Sequence, residues 1–285
     1  MFWILASAAA FGALGIFGKL AYAGGLGLPT LLAARFGLAA VLMWAIVAVR
    51  GLSPRVSLRT LVGLLLMGAV GYVGQAFSYF TALLTIQAAT TGLLLYTYPS
   101  LVALLAWLLL RQKLTRAGAI ALLMATVGCA LVLGGLAALP GRADSAGVAW
   151  GLAAALIYSL YIIAGARLTA SVQPLVASAY IITAAAVVFW VGGLLGGTLD
   201  FRVTAGGWAA VVGMALICTV LAIAAFVTGL AQVGPARASI LSTVEPVITM
   251  LLAVLVLGEQ INAGQILGGG LILGAVFVLR LGARG

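Results

Sequence analysis

Glu245 is the residue best placed to carry chemistry, because it puts an ionisable side chain inside an apolar stretch. It lies about nine residues into that stretch, which at about 1.5 Å per residue places the carboxyl group near the middle of a bilayer. An ionisable group there costs about 2.5–3.5 kcal/mol, so its presence calls for a specific role. We predict that Glu245 carries a coupling proton or pairs with an ammonium group. The structural alternative is a hydrogen bond to a neighbouring helix.

Aromatic and polar side chains at helical spacing form a second candidate site. Tyr72, Gln75 and Tyr79 fall on one helix face, and Tyr158 and Tyr161 on another. Such rings bind apolar, aromatic or cationic solutes by stacking and cation–π contacts, although ordinary core packing produces the same pattern. The residues that we predict to line a substrate cavity are Phe11, Tyr72, Gln75, Tyr79, Tyr96, Tyr98, Tyr158, Tyr161, Phe226, Ser242 and Glu245.

Two prolines and one arginine also fall inside apolar runs. Pro99 and Pro246 each remove a backbone donor, so we predict helix kinks that free carbonyl groups for a cavity or for packing. Arg35 falls about five residues into its run, near enough to the membrane surface to extend its head group into water. We expect it to anchor at that surface or to pair with a backbone carbonyl. Contact with a substrate carboxylate is the alternative.

The residue inventory argues against catalysis, metals and cofactors. The chain has no histidine, its two cysteines lie inside apolar runs, and no aspartate falls inside a run. A membrane-embedded hydrolase or transferase would need such groups, and ATP hydrolysis would need a glycine-rich loop ending in Gly-Lys-Ser or Gly-Lys-Thr, which the sequence lacks. We therefore predict no catalytic residues, no metal and no cofactor. A non-transporting receptor or assembly subunit remains an alternative.

The elements that position these residues are membrane-spanning helices. Of the 285 residues, 65% are hydrophobic and 6% charged, far from the roughly 25% charged of soluble domains. A bilayer needs about 20 apolar residues per helix, which predicts an all-α integral membrane protein. The ten candidate spans are 3–22, 30–50, 59–80, 88–110, 117–137, 146–166, 175–196, 207–231, 236–257 and 264–281.

The net charge of +10 does not indicate a surface for nucleic acid, because the basic residues are scattered between the apolar runs. Their distribution instead predicts the orientation of the chain in the membrane. With both termini cytoplasmic, the outer loops hold only Arg142 and Arg202. The inner loops and ends then hold Arg50, Arg55, Arg59, Arg111, Lys113, Arg116, Arg167, Arg237, Arg280 and Arg284. We predict lipid and a small-molecule substrate as partners, no nucleic acid, and a functional monomer.

The chain repeats itself. A shift of 147 residues, which carries Trp3 onto Trp150, also lays Tyr98-Pro99 on Glu245-Pro246. We predict a first repeat over 1–137, a loop over 138–145 and a second repeat over 146–285. Each repeat has five spans, an odd number, so the second enters the membrane inverted, around a central cavity suited to alternating access. Glycine-rich faces at Gly12, Gly15 and Gly18 and at Gly268–Gly270 predict close helix packing.

Four short motifs carry a resemblance to a known family. They are the glycine-rich first run ending in Lys19, Ala-Ala-Arg35-Phe36, Tyr98-Pro99-Ser-Leu-Val-Ala-Leu-Leu-Ala-Trp107, and Glu245-Pro246-Val with Leu-Gly258-Glu259-Gln and Gly264-Gln265. The order of these motifs, and their occurrence in both halves, resemble the pattern of the drug/metabolite transporter superfamily, in its ten-helix branch of two EamA-type repeats. The resemblance covers nearly the whole chain. One departure is Arg111-Gln112-Lys113, where the second repeat has Gly258-Glu259-Gln260.

The resemblance implies a secondary transporter of the bacterial inner membrane that exports small metabolites by alternating access. Among such carriers the chain is most similar to exporters of amino acids, including aromatic ones, and we expect these as substrates. The alternative within the family is a carrier of drugs or of other metabolites. Its small four-helix relatives use a carboxylate in the first helix, which this chain lacks, so their coupling mechanism does not transfer.

Overall fold

The computed structural model describes residues 1–83, 86, 88–112, 114–133, 145–169, 172–257 and 261–281. Nine of its helices are long and apolar enough to cross a membrane, and Arg116–Val132 is a shorter apolar helix at the place of the predicted fifth span. The all-α membrane fold is therefore confirmed. In chain order, the first to tenth spans are Phe2–Ala23, Leu28–Val49, Leu58–Tyr79, Thr91–Leu110, Arg116–Val132, Ser145–Leu168, Pro174–Leu195, Ala205–Val233, Pro235–Val256 and Ala263–Leu281.

Several predictions fall outside the described residues. They concern most of the loop 138–145, the predicted end of the fifth span at 137, Lys113, Arg142, Arg284 and the turn Gly258-Glu259-Gln260.

Three spans are broken near their middles. The first consists of helices Phe2–Gly12 and Leu14–Ala23, the fourth of Ala88–Leu95 and Tyr98–Leu110, and the ninth of Pro235–Ser242 and Glu245–Leu257. In the fourth and ninth spans the second helix has proline as its second residue, where a missing N–H costs nothing but the preceding helix cannot continue. Both prolines that we predicted to kink a helix thus follow directly on a break between two helices.

Two π-helical turns occupy near-equivalent positions in the halves, and the sequence analysis did not predict them. Met67–Tyr72 lies in the third span, between helices Leu58–Leu66 and Val73–Leu83. Leu216–Leu221 lies in the eighth, between Ala205–Ala215 and Ala222–Val233. In the eighth span the Thr219 hydroxyl donates to the carbonyl of Met214, five residues earlier, at 3.1 Å. A π-turn disturbs the regular backbone ladder, so these two places offer carbonyls to other partners.

The core lies between the two halves. The first span packs on the eighth and ninth spans, and its counterpart, the sixth, packs on the third and fourth. The second span packs on the seventh, and the fifth on the tenth. Each of these contacts joins opposite halves. The repeat exchanges the contacts of the first span with those of the sixth, and it maps the pairs second–seventh and fifth–tenth onto themselves, so the halves meet about a pseudo-two-fold axis.

The glycine faces are used unevenly. A Cβ on Gly12 would lie 2.8 Å from the Cβ of Ile248 in the ninth span, whereas none of the atoms described around Gly18 would lie within 4 Å. In the tenth span, Gly268 presses on Gly128 of the fifth, since a Cβ on Gly268 would lie 2.6 Å from the Gly128 carbonyl oxygen. Close packing is therefore confirmed at Gly12 and Gly268, each of which lies against a span of the opposite half.

Candidate functional site

The break in the ninth span positions Glu245. Helix Pro235–Ser242 ends, the Thr243 hydroxyl caps its last turn by donating to the carbonyl of Ile240 at 2.6 Å, and a new helix begins at Glu245. The first N–H groups of a helix and its dipole both stabilise negative charge, so the carboxyl group stands where a buried anion costs least. The proline that follows is what forces this helix start into the membrane interior.

Five tyrosines form a continuous series of ring contacts across the interface between the halves, which we call the tyrosine ladder. Tyr72 lies 6.3 Å from Tyr161, which stacks on Tyr158 at 6.1 Å. Tyr158 lies 4.7 Å from Tyr98, and Tyr98 lies 6.1 Å from Tyr96. The ladder thus runs from the third span through the sixth to the fourth. All five residues are among those that we predicted to line a cavity. Helical periodicity alone placed Tyr158 and Tyr161 on a shared face.

Glu245 lies near this ladder, close enough for its charge to act on four of the five rings. It is half-buried, as are Tyr72, Tyr96 and Tyr158. The titratable groups close enough to feel the charge of Glu245 are Tyr72, Tyr79, Tyr96, Tyr98, Cys129, Tyr158 and Cys218.

The other predicted cavity residues take different positions. Ser242 is buried and its hydroxyl interacts with that of Tyr98, which also donates to the Ser239 carbonyl at 3.3 Å. Phe226 is only 4% exposed and belongs to the main hydrophobic core, against which Phe11 packs half-buried. Gln75 is half-buried on the third span. Whether these side chains touch a ligand stays a prediction.

The Arg35 side chain is buried between helices and does not extend to the surface of the bundle, so the expected surface anchoring is wrong. Its side chain is 4% exposed, Nε donates to the Thr219 hydroxyl at 2.7 Å, and Nη2 donates to the Cys218 carbonyl at 3.0 Å. The alternative expectation, pairing with a carbonyl, is what the structure contains. The second span begins further out than predicted, at Leu28, which places Arg35 deeper. The π-turn of the eighth span then supplies an acceptor that regular helical periodicity does not reveal.

At one end of the bundle, which we call the closed end, the first and eighth spans are in close backbone contact. There the Gly24 carbonyl, at the end of the first span, accepts from the Thr204 N–H at 3.0 Å and the Thr204 hydroxyl at 3.2 Å. A Cβ on Gly24 would lie 2.4 Å from the Cα of Gly207 in the eighth span. At the opposite end, a cleft of about 540 Å³ opens between the loop around Arg55 and the start of the seventh span. The closed end also borders a space of about 400 Å³, whose lining includes Phe17, Gly24 and Thr204.

The donor set at the site does not suit a metal. Within the described ranges, no group of three or more His, Cys, Asp or Glu side chains is placed to hold a metal ion. The groups that do converge are phenols, one carboxyl, one guanidinium and a few hydroxyls. These are groups that bind organic solutes by stacking, ion pairing and hydrogen bonds.

A bundle of two related five-span halves, with broken helices meeting at a polar cluster between them, has the architecture of a membrane transporter. The chain belongs to the EamA-like transporter family, whose model matches residues 1–134 and 145–281. The resemblance inferred from the sequence motifs is thereby confirmed. Membership of a family of transporters also agrees with the interpretation that the chain is not an enzyme.

Two individual proteins illustrate the likeness. The chain is 26% identical over 245 residues to the uncharacterized transporter YyaM of Bacillus subtilis (strain 168), covering 84% of this chain and 80% of that protein. It is also similar to a protein of known crystal structure, with a TM-score of 0.86 and 25% identity, over 99% of this chain and 96% of the other. Neither relative identifies a substrate.

Proposed function

We propose that the protein is a secondary transporter that exports small metabolites across the bacterial inner membrane by alternating access. Amino acids, including aromatic ones, are the favoured substrates. The observation that carries this proposal is the tyrosine ladder beside Glu245, because it combines stacking surfaces with one carboxyl group. An aromatic side chain stacks on tyrosine rings, and an ammonium group pairs with a carboxylate or lies over a ring face.

The proposed transport cycle moves this site between the two membrane faces. The ladder belongs to spans of both halves, so a tilt of one half against the other opens the site at one end and closes it at the other. Glu245 lies on the path between them. In this cycle it binds either a proton or the substrate ammonium group, and its exchange between the two couples substrate movement to the pH gradient.

The orientation follows from the basic residues. Arg50, Arg55, Arg59, Arg116 and Arg237 are all exposed and share the face that also holds the open cleft. Placing this face in the cytoplasm puts both termini inside, in agreement with the positive-inside tendency. The closed end, at Gly24 and Gly207, then faces outward. We propose that the protein works as a monomer whose partners are lipid and the transported solute, without nucleic acid.

Transport by the purified protein in liposomes tests the proposal. Vesicles are loaded with a labelled amino acid, and its loss is followed with and without a pH gradient. The expected result is protein-dependent movement of aromatic amino acids, measured against empty vesicles and against other amino acids. Movement of cationic drugs alone would indicate the multidrug alternative. No movement of any amino acid, metabolite or drug would overturn the proposal and favour a non-transporting receptor.

A further inference from the structure

The charge of Arg35 is buried without an anionic partner in the described part of the chain. Its partners there are the Thr219 hydroxyl, the Cys218 carbonyl, the Tyr72 hydroxyl and the ring of Phe36, whose centroid lies 4.8 Å from Cζ; all of them are neutral. A guanidinium in the membrane interior is expensive, and neutral hydrogen bonds offset only part of that cost. The buried charges of a folded protein are normally paired, so a buried cation whose partners are all neutral indicates an anionic ligand.

Support of the π-turn is the competing explanation, and the repeat argues against it. The third span forms a π-turn of the same length, Met67–Tyr72, at a near-equivalent place. The second and seventh spans align with Pro29 on Pro174, which lays Arg35 on Tyr180. Tyr180 donates to the carbonyl of Pro54, in the loop before the third span. One π-turn therefore forms without an arginine from the paired span, so the other does not require a cation either.

Arg35 and Glu245 both lie near the tyrosine ladder, and Tyr72 is close enough to feel both charges. Arg35 interacts with Tyr72, the first ring, whose edge also packs on Phe36 at 5.2 Å. Glu245 lies close enough to act on Tyr96, Tyr98, Tyr158 and Tyr72. The series of rings thus has one cation and one anion beside it. Such a site is complementary to a molecule that carries both charges and a flat apolar part.

We infer that Arg35 binds the carboxylate of the transported solute, so that the site selects dipolar molecules with a carboxylate, an ammonium group and an aromatic body. This inference rests on the proposed function and assigns a role within the same site. An arginine has five N–H donors, and the contacts with Thr219, Cys218 and Tyr72 use three of them. Its planar head group is suited to hold a carboxylate through parallel hydrogen bonds.

Three ligands that share a phenyl ring but differ in their charged groups test the two charge contacts one at a time. Phenylalanine carries both charged groups, phenethylamine only the ammonium group, and 3-phenylpropionate only the carboxylate. Binding to the purified full-length protein is measured by ligand-induced thermal stabilisation, and transport by movement across liposomes. The variants are Arg35→Gln and Arg35→Lys, with Arg202→Gln as a matched control, because Arg202 is exposed in the loop before the eighth span.

For Arg35→Gln we expect the affinities for phenylalanine and 3-phenylpropionate to fall about tenfold or more, the usual effect of losing a hydrogen bond to a charged group. Phenethylamine should bind within about twofold of the wild-type affinity, because it has no carboxylate to contact Arg35. If Arg35→Gln does not fold, Arg35→Lys decides, since it keeps the charge but loses the planar fork. It should weaken only the two carboxylate ligands.

A fall of equal size for all three ligands, or no change for any, overturns the inference and assigns Arg35 to structure alone. Transport of amino acids by the wild type combined with either result would leave the proposed function standing. Charge-dependent binding without any transport would do the opposite, overturning the proposed function and keeping the carboxylate site. Absence of binding of all three ligands to the wild type would overturn both.

Discussion

The hydroxyl of Thr249 donates to the carbonyl of Gly12 at 3.0 Å and so joins the broken first span to the helix that begins at Glu245. Gly12 is the last residue before the break in the first span, where a carbonyl loses its regular helical partner. The same hydroxyl lies 3.1 Å from the carbonyl of Glu245. Breaks in opposite halves therefore meet at one point, and the first span helps to fix the position of the carboxyl group.

Replacing Thr249 by valine should loosen this junction. The change keeps the shape of the side chain but leaves the Gly12 carbonyl without its donor, which costs about 1–3 kcal/mol for a buried acceptor. We expect a lower melting temperature in detergent and slower transport. Thr228→Val is the matched control, because the Thr228 hydroxyl donates within its own helix, to Ala224 at 2.7 Å. Equal losses in the two variants would show that the contact between the halves has no special importance.

Replacing Glu245 by glutamine should remove the response of transport to pH. Glutamine keeps the size and hydrogen-bonding capacity of the side chain, but it does not bind a proton near neutral pH and does not form an ion pair with an ammonium group. We expect the transport rate in liposomes to become independent of an imposed pH gradient and to fall for ammonium-bearing solutes.

Asp200→Asn serves as the control for this variant. Its carboxylate accepts the Arg202 N–H at 3.0 Å in an exposed loop, away from the tyrosine ladder, so the pH response should survive. Full activity of Glu245→Gln with an unchanged pH response would exclude the carboxylate from the coupling mechanism.

The sequence predicted the elements of this fold because hydrophobic length and proline chemistry act locally. Runs of apolar residues predicted the spans, and Pro99 and Pro246 predicted the breaks that place Tyr98 and Glu245 at new helix starts. The spacing of the tyrosines predicted that Tyr158 and Tyr161 share one helix face. The contacts among the rings of the ladder depend on three different spans, and spacing within one span cannot specify them.

The surface position predicted for Arg35 was wrong, again because its true position depends on contacts between different spans. Its depth depends on the start of the second span at Leu28, and its partner depends on a π-turn in the eighth span. A π-turn inserts one extra residue into a helix that otherwise has ordinary apolar composition, and Leu216–Leu221 has no glycine or proline to indicate it. Side-chain periodicity assumes an unbroken helix. The residues that contact Cys218 and Thr219 could therefore be found only from the three-dimensional packing.

Shortening Tyr158 should weaken the tyrosine ladder at its centre. Tyr158 contacts both Tyr98 and Tyr161 through its ring, so Tyr158→Leu removes two ring contacts. A ligand ring stacked on Tyr158 would gain about 0.5–1.5 kcal/mol from that contact, so its loss predicts a severalfold lower affinity for aromatic amino acids. Tyr158→Phe keeps the ring and should keep most of the affinity. Binding is measured with phenylalanine and with alanine as a ring-free ligand, and an equal effect on both ligands would contradict a stacking role.

Adding one methyl group at Gly24 should open the closed end of the bundle. The new Cβ would lie 2.4 Å from the Cα and 2.7 Å from the N of Gly207, and backbone atoms cannot move aside as a flexible side chain can. Gly24 has φ −79° and ψ −2°, a conformation that alanine adopts freely, so the clash is the main effect of the change. Overpacking of this kind costs about 1–3 kcal/mol, which shifts a two-state equilibrium about fivefold or more towards the open arrangement.

Cys218 reports this opening. It is completely buried in the described structure, in a cluster with Ala21, Leu26 and Met214 just below the closed end. In a Cys129→Ser background, we expect Gly24→Ala to raise the rate at which a polar maleimide labels Cys218 in detergent-solubilised protein by about fivefold or more. Gly18→Ala is the control, because a Cβ on Gly18 would meet none of the described atoms within 4 Å. Faster labelling in both variants, or in neither, would show that the contact between Gly24 and Gly207 does not hold this end closed.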